Sequence, residues 1–256
     1  MSAEARNVRD IARFLRQREE LGLGEIFLDG LTRGQVLRAA AEAGGQAAVE
    51  ARSGAQPESR GALEQETGGD LAGLAYSELA AVADSCQRCR LAKSRTRVVF
   101  SDGNPQARLM VVGEAPGANE DRTGLPFVGQ AGKFLDLLLA SVDLSRKDSV
   151  YICNVLKCRP PGNRDPMADE IEFCSPYLKR QIALVAPEVI LAVGTFAAQL
   201  LTGTNRPLGK LRGSVYAYEG VPLVVTYHPA ALLRNAGWTR STWDDFQLLR
   251  QIMDGS

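Results

Sequence analysis

The sequence predicts an α/β protein: a mostly parallel, four-stranded central sheet covered by helices on both faces, with a helical and disordered N-terminal extension. Two observations predict it. Four short apolar runs, at residues 109–112, 150–156, 189–193 and 223–226, alternate with helical patterns. Each run then stops at turn-forming or polar residues. Apolar runs of this length suit strands buried on both faces, and strands alternating with helices pair in parallel through crossovers.

The whole chain sets bounds. Its 256 residues and 45% hydrophobic content suffice for one large domain and an appendage. Thirty Lys and Arg balance thirty Asp and Glu, so any nucleic acid must be met by a local basic patch. No apolar run is long enough to span a membrane, and charged residues 1–10 lack the apolar core of a signal peptide. A cytoplasmic protein is expected. Five cysteines in a reducing compartment point to a metal or cluster rather than disulfides.

Taken in order, residues 1–39 form a helical segment: Val8, Ile11, Phe14 and Leu15 recur at helical spacing, and 26–37 add a second helix. Residues 40–73 are Ala, Gly, Glu, Gln and Ser with almost no large apolar side chains, the composition of a linker. The compact domain, 74–256, opens with a helix over 74–82 that runs into Cys86-Gln-Arg-Cys89. The first strand run is followed by a helix with Phe134, Leu135, Leu138, Leu139 and Val142 on one face. Between the second and third runs, a helical stretch at 168–185 is interrupted by Ser175-Pro176, where an N-cap and a first-turn proline start a new helix. A hairpin around Gly220 feeds the last strand. Trp243, Phe246, Leu249 and Ile252 mark a closing helix over 241–253.

The segments after the strands carry the chemistry, because ligands of open α/β sheets bind beyond the strands' carboxyl ends. After the first strand come Gly113, Glu114, Ala115, Pro116 and Gly117, then Glu120, and an aromatic, Phe127, in a Gly/Pro-rich loop. The second strand carries Asn154 and leads to Arg159, Asn163 and Arg164. The fourth leads to His228, the single histidine, in a His-Pro turn followed by Leu232, Leu233 and Arg234. Any one of these is also what a tight turn with solvated side chains contains; their convergence on one edge is the signal. No Gly-x-Ser-x-Gly nucleophile occurs, and Gly132-Lys133 is followed by Phe134, so a phosphate P-loop is excluded. Cys86, Cys89, Cys158 and Cys174 supply four thiolates suited to zinc or to an iron–sulfur cluster; Cys153 lies inside a strand and reads as a core thiol.

These segments together resemble the family 4 uracil-DNA glycosylases, the iron–sulfur members of the uracil-DNA glycosylase superfamily. The matching pieces are 113–117 with Glu120, 124–129, 154–163, His228-Pro229-Ala230 and the four cysteines, within roughly residues 75–250. The resemblance implies a three-layer αβα fold, a four-iron, four-sulfur (4Fe-4S) cluster on Cys86, Cys89, Cys158 and Cys174, and uracil-containing DNA as substrate. It also implies roles. Uracil is flipped out of the helix, Phe127 stacks on it, and Asn154 reads its N3–H and O4. Gly113 and Ala115 line the base site. His228 donates to O2 as negative charge develops there. Many relatives handle water with an Asp or Asn where this chain has Ala115, so the task falls to Glu120 or Glu114, with Asn163 as helper. A related branch forms a covalent adduct through a histidine after the second strand, and 157–165 contain none.

Arg159, Arg164 and Arg234 are expected at DNA phosphates, with Leu232 and Leu233 wedged into the stack that uracil leaves. A monomer is expected, with the N-terminal extension free to contact a replication or repair protein. The competing reading is a non-catalytic iron–sulfur DNA-binding or polymerase-associated module, which would have no need of a base pocket.

Overall fold

A computed structural model describes residues 71–255. The helices expected before residue 40, and most of the linker expected over 40–73, lie outside them. Leu71 is buried in the core, so the packed domain begins ahead of the expected boundary at residue 74.

Six strands form one sheet: β1 (Asp102–Gly103), β2 (Leu109–Gly113), β3 (Val150–Asn154), β4 (Val189–Val193), β5 (Val215–Tyr218) and β6 (Val221–Thr226). Their order is β1-β3-β2-β4-β6-β5. The inner four are the expected parallel strands. Two antiparallel edge strands correct the four-stranded expectation. β5 is the first arm of the predicted hairpin, whose turn sets Glu219 and Gly220 both at positive φ (48° and 86°), the twist-matched two-residue turn. β1 has only two residues, too few for an alternating pattern to register.

Successive side chains of the inner strands pack into two separate cores. Met110, Val112, Tyr151, Cys153, Ile190 and Ala192 face one layer. It is built from α1 (Tyr76–Asp84), α4 (Ala168–Val185), α5 (Thr195–Thr202) and α6 (Leu208–Leu211). Leu109, Val111, Ile152, Leu191 and Val193 face the other. That layer is α3 (Gln130–Ala140), α7 (Pro229–Arg234) and α8 (Thr239–Asp254). The short α2 (Ala118–Thr123) lies beyond the end of β2. This is the three-layer αβα arrangement. Each fully buried Leu, Ile, Val or Phe contributes about 1.5–3 kcal/mol, so the strand ends that bear the site rest on a rigid base.

α4 does not break at Ser175-Pro176 as expected; it runs 18 residues with Pro176 inside. Proline removes the amide that would bond the Glu172 carbonyl. The Ser175 hydroxyl supplies that bond instead, donating to Glu172 O at 3.2 Å. Among the described residues no helix is long and apolar enough to cross a membrane.

Candidate functional site

Parallel pairing aligns the strand ends. Gly113 lies opposite Asn154, and Val193 opposite Thr226, two residues before His228. The segments that follow enclose a cleft of about 940 Å³ lined by Glu114, Ala115, Glu120, Phe127, Asn154, Asn163 and His228. The sequence-predicted base-site and water-handling residues are thus brought together.

At the floor, Asn154 is buried and its Oδ1 has no hydrogen-bond partner. A Cβ on Gly113 would come 2.3 Å from that oxygen and 2.5 Å from Phe127 Cζ. Only glycine lets the aromatic ring and the amide meet over the strand end. Phe127 itself has φ +54°, and Glu120 Oε1 accepts from the Val128 and Gly129 amides at 2.9 and 2.8 Å. Glu120 therefore braces the loop that carries Phe127.

His228 caps α7: its Nδ1 accepts from the Ala230 amide at 3.2 Å. Nδ1 is then an acceptor, and a neutral ring carries its proton on Nε2. Burial, reinforced by the positive charge of Arg234 and opposed by Glu120, pulls its pKa down to about 4. The imidazole is neutral at pH 7. Its ring lies 5.5 Å from that of Phe127, inclined by 27°. Glu114 is shifted the other way: burial first, then the negative charge of Asp165, push its carboxyl up to about 7.

The expected DNA contacts divide. Arg234 lines the cleft and is exposed, and Leu233 is 53% exposed. Leu232 is instead buried in the core beside α3, which removes it from the wedge; the roughly 100° turn per residue of α7 points the two adjacent leucines in different directions. Arg164 also lines the cleft, but it grips the buried Glu170 with a two-pronged pair at 2.6 and 2.9 Å, which offsets much of its charge. Arg159 Nε donates to Asn163 Oδ1 at 2.7 Å. That bond ties Asn163 down and leaves Arg159 beside the cleft, outside its lining.

On the far side of β3, Cys86, Cys89, Cys158 and Cys174 line one small cavity with Arg95, Lys157 and Tyr177. The Lys157 amide donates to Cys174 Sγ at 3.3 Å, and Arg95 Nη1 to Cys158 Sγ at 3.5 Å. Burial pushes the Cys158 thiol up to about 11 and Cys174 to about 12. Cys153 is buried within the sheet, away from the cavity lining. Among the described residues no group of three or more His, Cys, Asp or Glu side chains is gathered to hold a metal ion; the thiols surround a space instead.

The sequence profile of the Uracil DNA glycosylase superfamily matches residues 100–247. A type-4 uracil-DNA glycosylase of Sulfurisphaera tokodaii is 43% identical over 176 residues, 66% of this chain and 80% of that one. The chain belongs to the type-4 uracil-DNA glycosylases. The type-4 enzyme of Archaeoglobus fulgidus is likewise 43% identical, over 66% of this chain and 88% of the relative. That of Saccharolobus solfataricus is 44% identical, over 66% and 82%.

In this type-4 glycosylase the sequence hides two supports of the site. Lys157 is buried, and its Nζ donates to the Asn154 carbonyl at 2.6 Å, bridging Asn154 and the thiol cavity that Lys157 also lines. A lysine directly after a buried strand and before a cysteine was a readable clue. Arg146, in a polar turn, binds the carbonyls of Pro126 and Phe127, and nothing local in the sequence marks it.

Proposed function

We propose that this chain excises uracil from DNA by hydrolysing the bond between uracil N1 and deoxyribose C1′, leaving an abasic site. One observation carries the reading: the buried, unpartnered Oδ1 of Asn154 in the cleft that Phe127 and His228 also line. A buried acceptor left unpaired costs about 1–3 kcal/mol, and uracil N3–H is a donor that would relieve it. The same amide's N–H group suits O4. Cytosine offers an acceptor at N3 and a donor at its exocyclic amine, the reverse pattern.

The steps follow from the side chains. Uracil leaves the base stack and enters against the Phe127 ring. As the glycosidic bond lengthens, the sugar gains positive charge and uracil O2 negative charge. Nε2–H of neutral His228 donates to O2, worth more in the transition state than in the ground state. Glu114, with a carboxyl balanced near neutral pH, takes the proton of the attacking water in its ionised form. Glu120 keeps Phe127 in position, and its negative charge lies near enough to His228 to raise the imidazole's pKa. Arg234 meets a phosphate, and Leu233 enters the vacated stack.

The four thiols fit a 4Fe-4S cluster held by Cys86, Cys89, Cys158 and Cys174. A single zinc needs its sulfurs about 2.3 Å from one point, whereas thiols ringing a cavity, with N–H groups aimed at two of them, suit a larger group. Hydrolysis moves no electron, so the cluster would serve as a brace between the segment after α1, the loop after β3 and α4. The test of the function is incubation with a uracil-containing oligonucleotide followed by alkaline cleavage at abasic sites. Strand scission with wild type and its steep loss in Asn154→Asp is the expected result. Uracil release unchanged in a folded Asn154→Asp protein would remove Asn154 from base reading.

A further inference from the structure

Tyr227 leaves the end of β6 directly before His228. Its ring stacks on Trp238 with centroids 4.4 Å apart and planes inclined by 13°. The Arg212 guanidinium sits 4.1 Å from the same Tyr227 centroid. Two planar groups that close to one ring cannot share a face, so Tyr227 is sandwiched: Arg212 inside, Trp238 outside. The inner end is anchored. Arg212 Nε donates to Asp245 Oδ2 at 2.7 Å and its Nη2 to the Ser241 carbonyl, while the buried Asp245 also accepts from Thr226 Oγ1 at 2.6 Å. The Thr242 hydroxyl holds the Trp238 carbonyl at 3.0 Å.

The stack therefore ends in an indole that is fixed from beneath and 39% exposed. Trp238 lines the same cleft as His228, Asn154 and Arg234. That cleft, about 940 Å³, is near the top of the range of about 300–1,000 Å³ found for pockets that hold a whole drug-sized ligand, more than one flipped base fills. An exposed aromatic beside an exposed arginine is the pairing that single-stranded nucleic acid uses: a π-face for a base and a cation for its phosphate.

We propose that Trp238 stacks on an unpaired nucleobase adjoining the flipped uracil, so that the cleft grips two neighbouring nucleotides of a single strand. The inference rests on the excision reading for its uracil site. It does not depend on base identity, since every base has a π-face.

The test uses the full chain. Trp238 and Trp243 are its two tryptophans, and a Trp243→Phe background leaves Trp238 as the sole indole. Titration with a uracil-free oligothymidylate should quench its fluorescence. In single-turnover excision from a single-stranded uracil oligonucleotide, Trp238→Ala should raise the half-saturating protein concentration by about five- to a hundred-fold, and Trp238→Phe by less. Replacing the neighbouring nucleotides with abasic analogues should erase the difference between wild type and Trp238→Ala. Quenching by oligothymidylate without any uracil release by wild type would uphold the stacking site and sink the excision reading. Unchanged fluorescence, or equal half-saturation for wild type and a folded Trp238→Ala, would overturn the proposal.

Discussion

The Phe127 carbonyl accepts a 2.7 Å hydrogen bond from Nη2 of Arg146. The same guanidinium reaches the Pro126 carbonyl and Asp102, each at 3.0 Å, and Asp136 at 2.9 Å. Phe127 needs this hold, because its φ of +54° is a left-handed conformation that costs an aromatic residue about 1–3 kcal/mol. Gly132 of α3 completes it: a Cβ there would lie 1.7 Å from the Phe127 carbonyl oxygen. The ring on which uracil is proposed to pack is thus set from behind, by groups outside the cleft lining.

Arg146→Met should therefore impair excision with every cleft residue intact. It removes both carbonyl bonds and leaves two carboxylates unpaired. A misplacement of about 1 Å at a reacting centre can cost about 10²-fold, and a loss between tenfold and that value is expected in single-turnover excision. Arg146→Lys should recover little, since an ammonium lacks the planar fork that serves four acceptors. Full activity in a folded Arg146→Met protein would show that Phe127 needs no such hold.

What could be read in the sequence was what acts locally. The inner strands announce themselves as apolar runs, and the site residues lie at the ends of those runs or in the segments that follow, so knowing the strands located the edge. The hairpin was legible because Gly220 satisfies a backbone rule. What escaped depends on distant partners. β1 exists because Gly103 and Asp102 find Tyr151 and Ile152. α4 continues through Pro176 because one hydroxyl replaces one amide. Leu232 and Leu233 look alike in sequence, and only the rotation of α7 sends one into the core. Arg164 reads as a cation for phosphate until buried Glu170 is found beside it.

The thiol cavity gives a prediction about metal. Protein purified without oxygen should carry about four irons per chain, the content of the proposed 4Fe-4S cluster. Cys158→Ala should lose that iron and, with it, a brace between two layers of the fold, lowering Tm. Cys153→Ala should keep the iron, because Cys153 packs into the core beneath the α1/α4 layer and does not line the cavity. Elemental analysis of the two variants separates the assignments. Iron lost from Cys153→Ala, or zinc in its place in wild type, would refute the ligand set.

Glu114 couples pH to both rate and stability. Its folded pKa, about 7 against an ordinary value of 4.5, means that the folded chain holds this proton more tightly than the unfolded one. Stability from this group is therefore complete below about pH 4.5 and declines as pH rises through 7. The rate should move in the opposite direction, since a base must be ionised: single-turnover excision should climb with an apparent pKa near 7. Glu114→Gln should flatten that profile and lower the rate by about 10²–10⁴-fold. It should also melt at a higher temperature than wild type at pH 8, with the gap closing at pH 4. An unchanged pH profile in Glu114→Gln would hand the water to another group, with Glu120 next in line.

His228 should act on bond cleavage itself, through one hydrogen-bond donor. The Ala230 amide fixes its Nδ1 as acceptor, so a neutral ring can present only Nε2–H to the leaving base. Burial keeps it neutral down to about pH 4, and the donor is thus the same species across the range in which Glu114 titrates. Two consequences follow. The acidic limb of the excision profile near pH 7 should belong to Glu114 alone and survive in His228→Ala, scaled down. The scale should be about 10²–10³-fold, the usual cost of one donor aimed at a developing negative charge, with DNA affinity changed only a few-fold because the interaction strengthens as the bond breaks. As the only histidine in the chain, His228 can be followed directly by the NMR shift of its ring during a pH titration. A ring that titrates near 6.5 would mean that the imidazole is solvated and charged at moderately acidic pH. His228→Ala excising uracil at the wild-type rate would leave bond cleavage to Glu114 and the pocket alone.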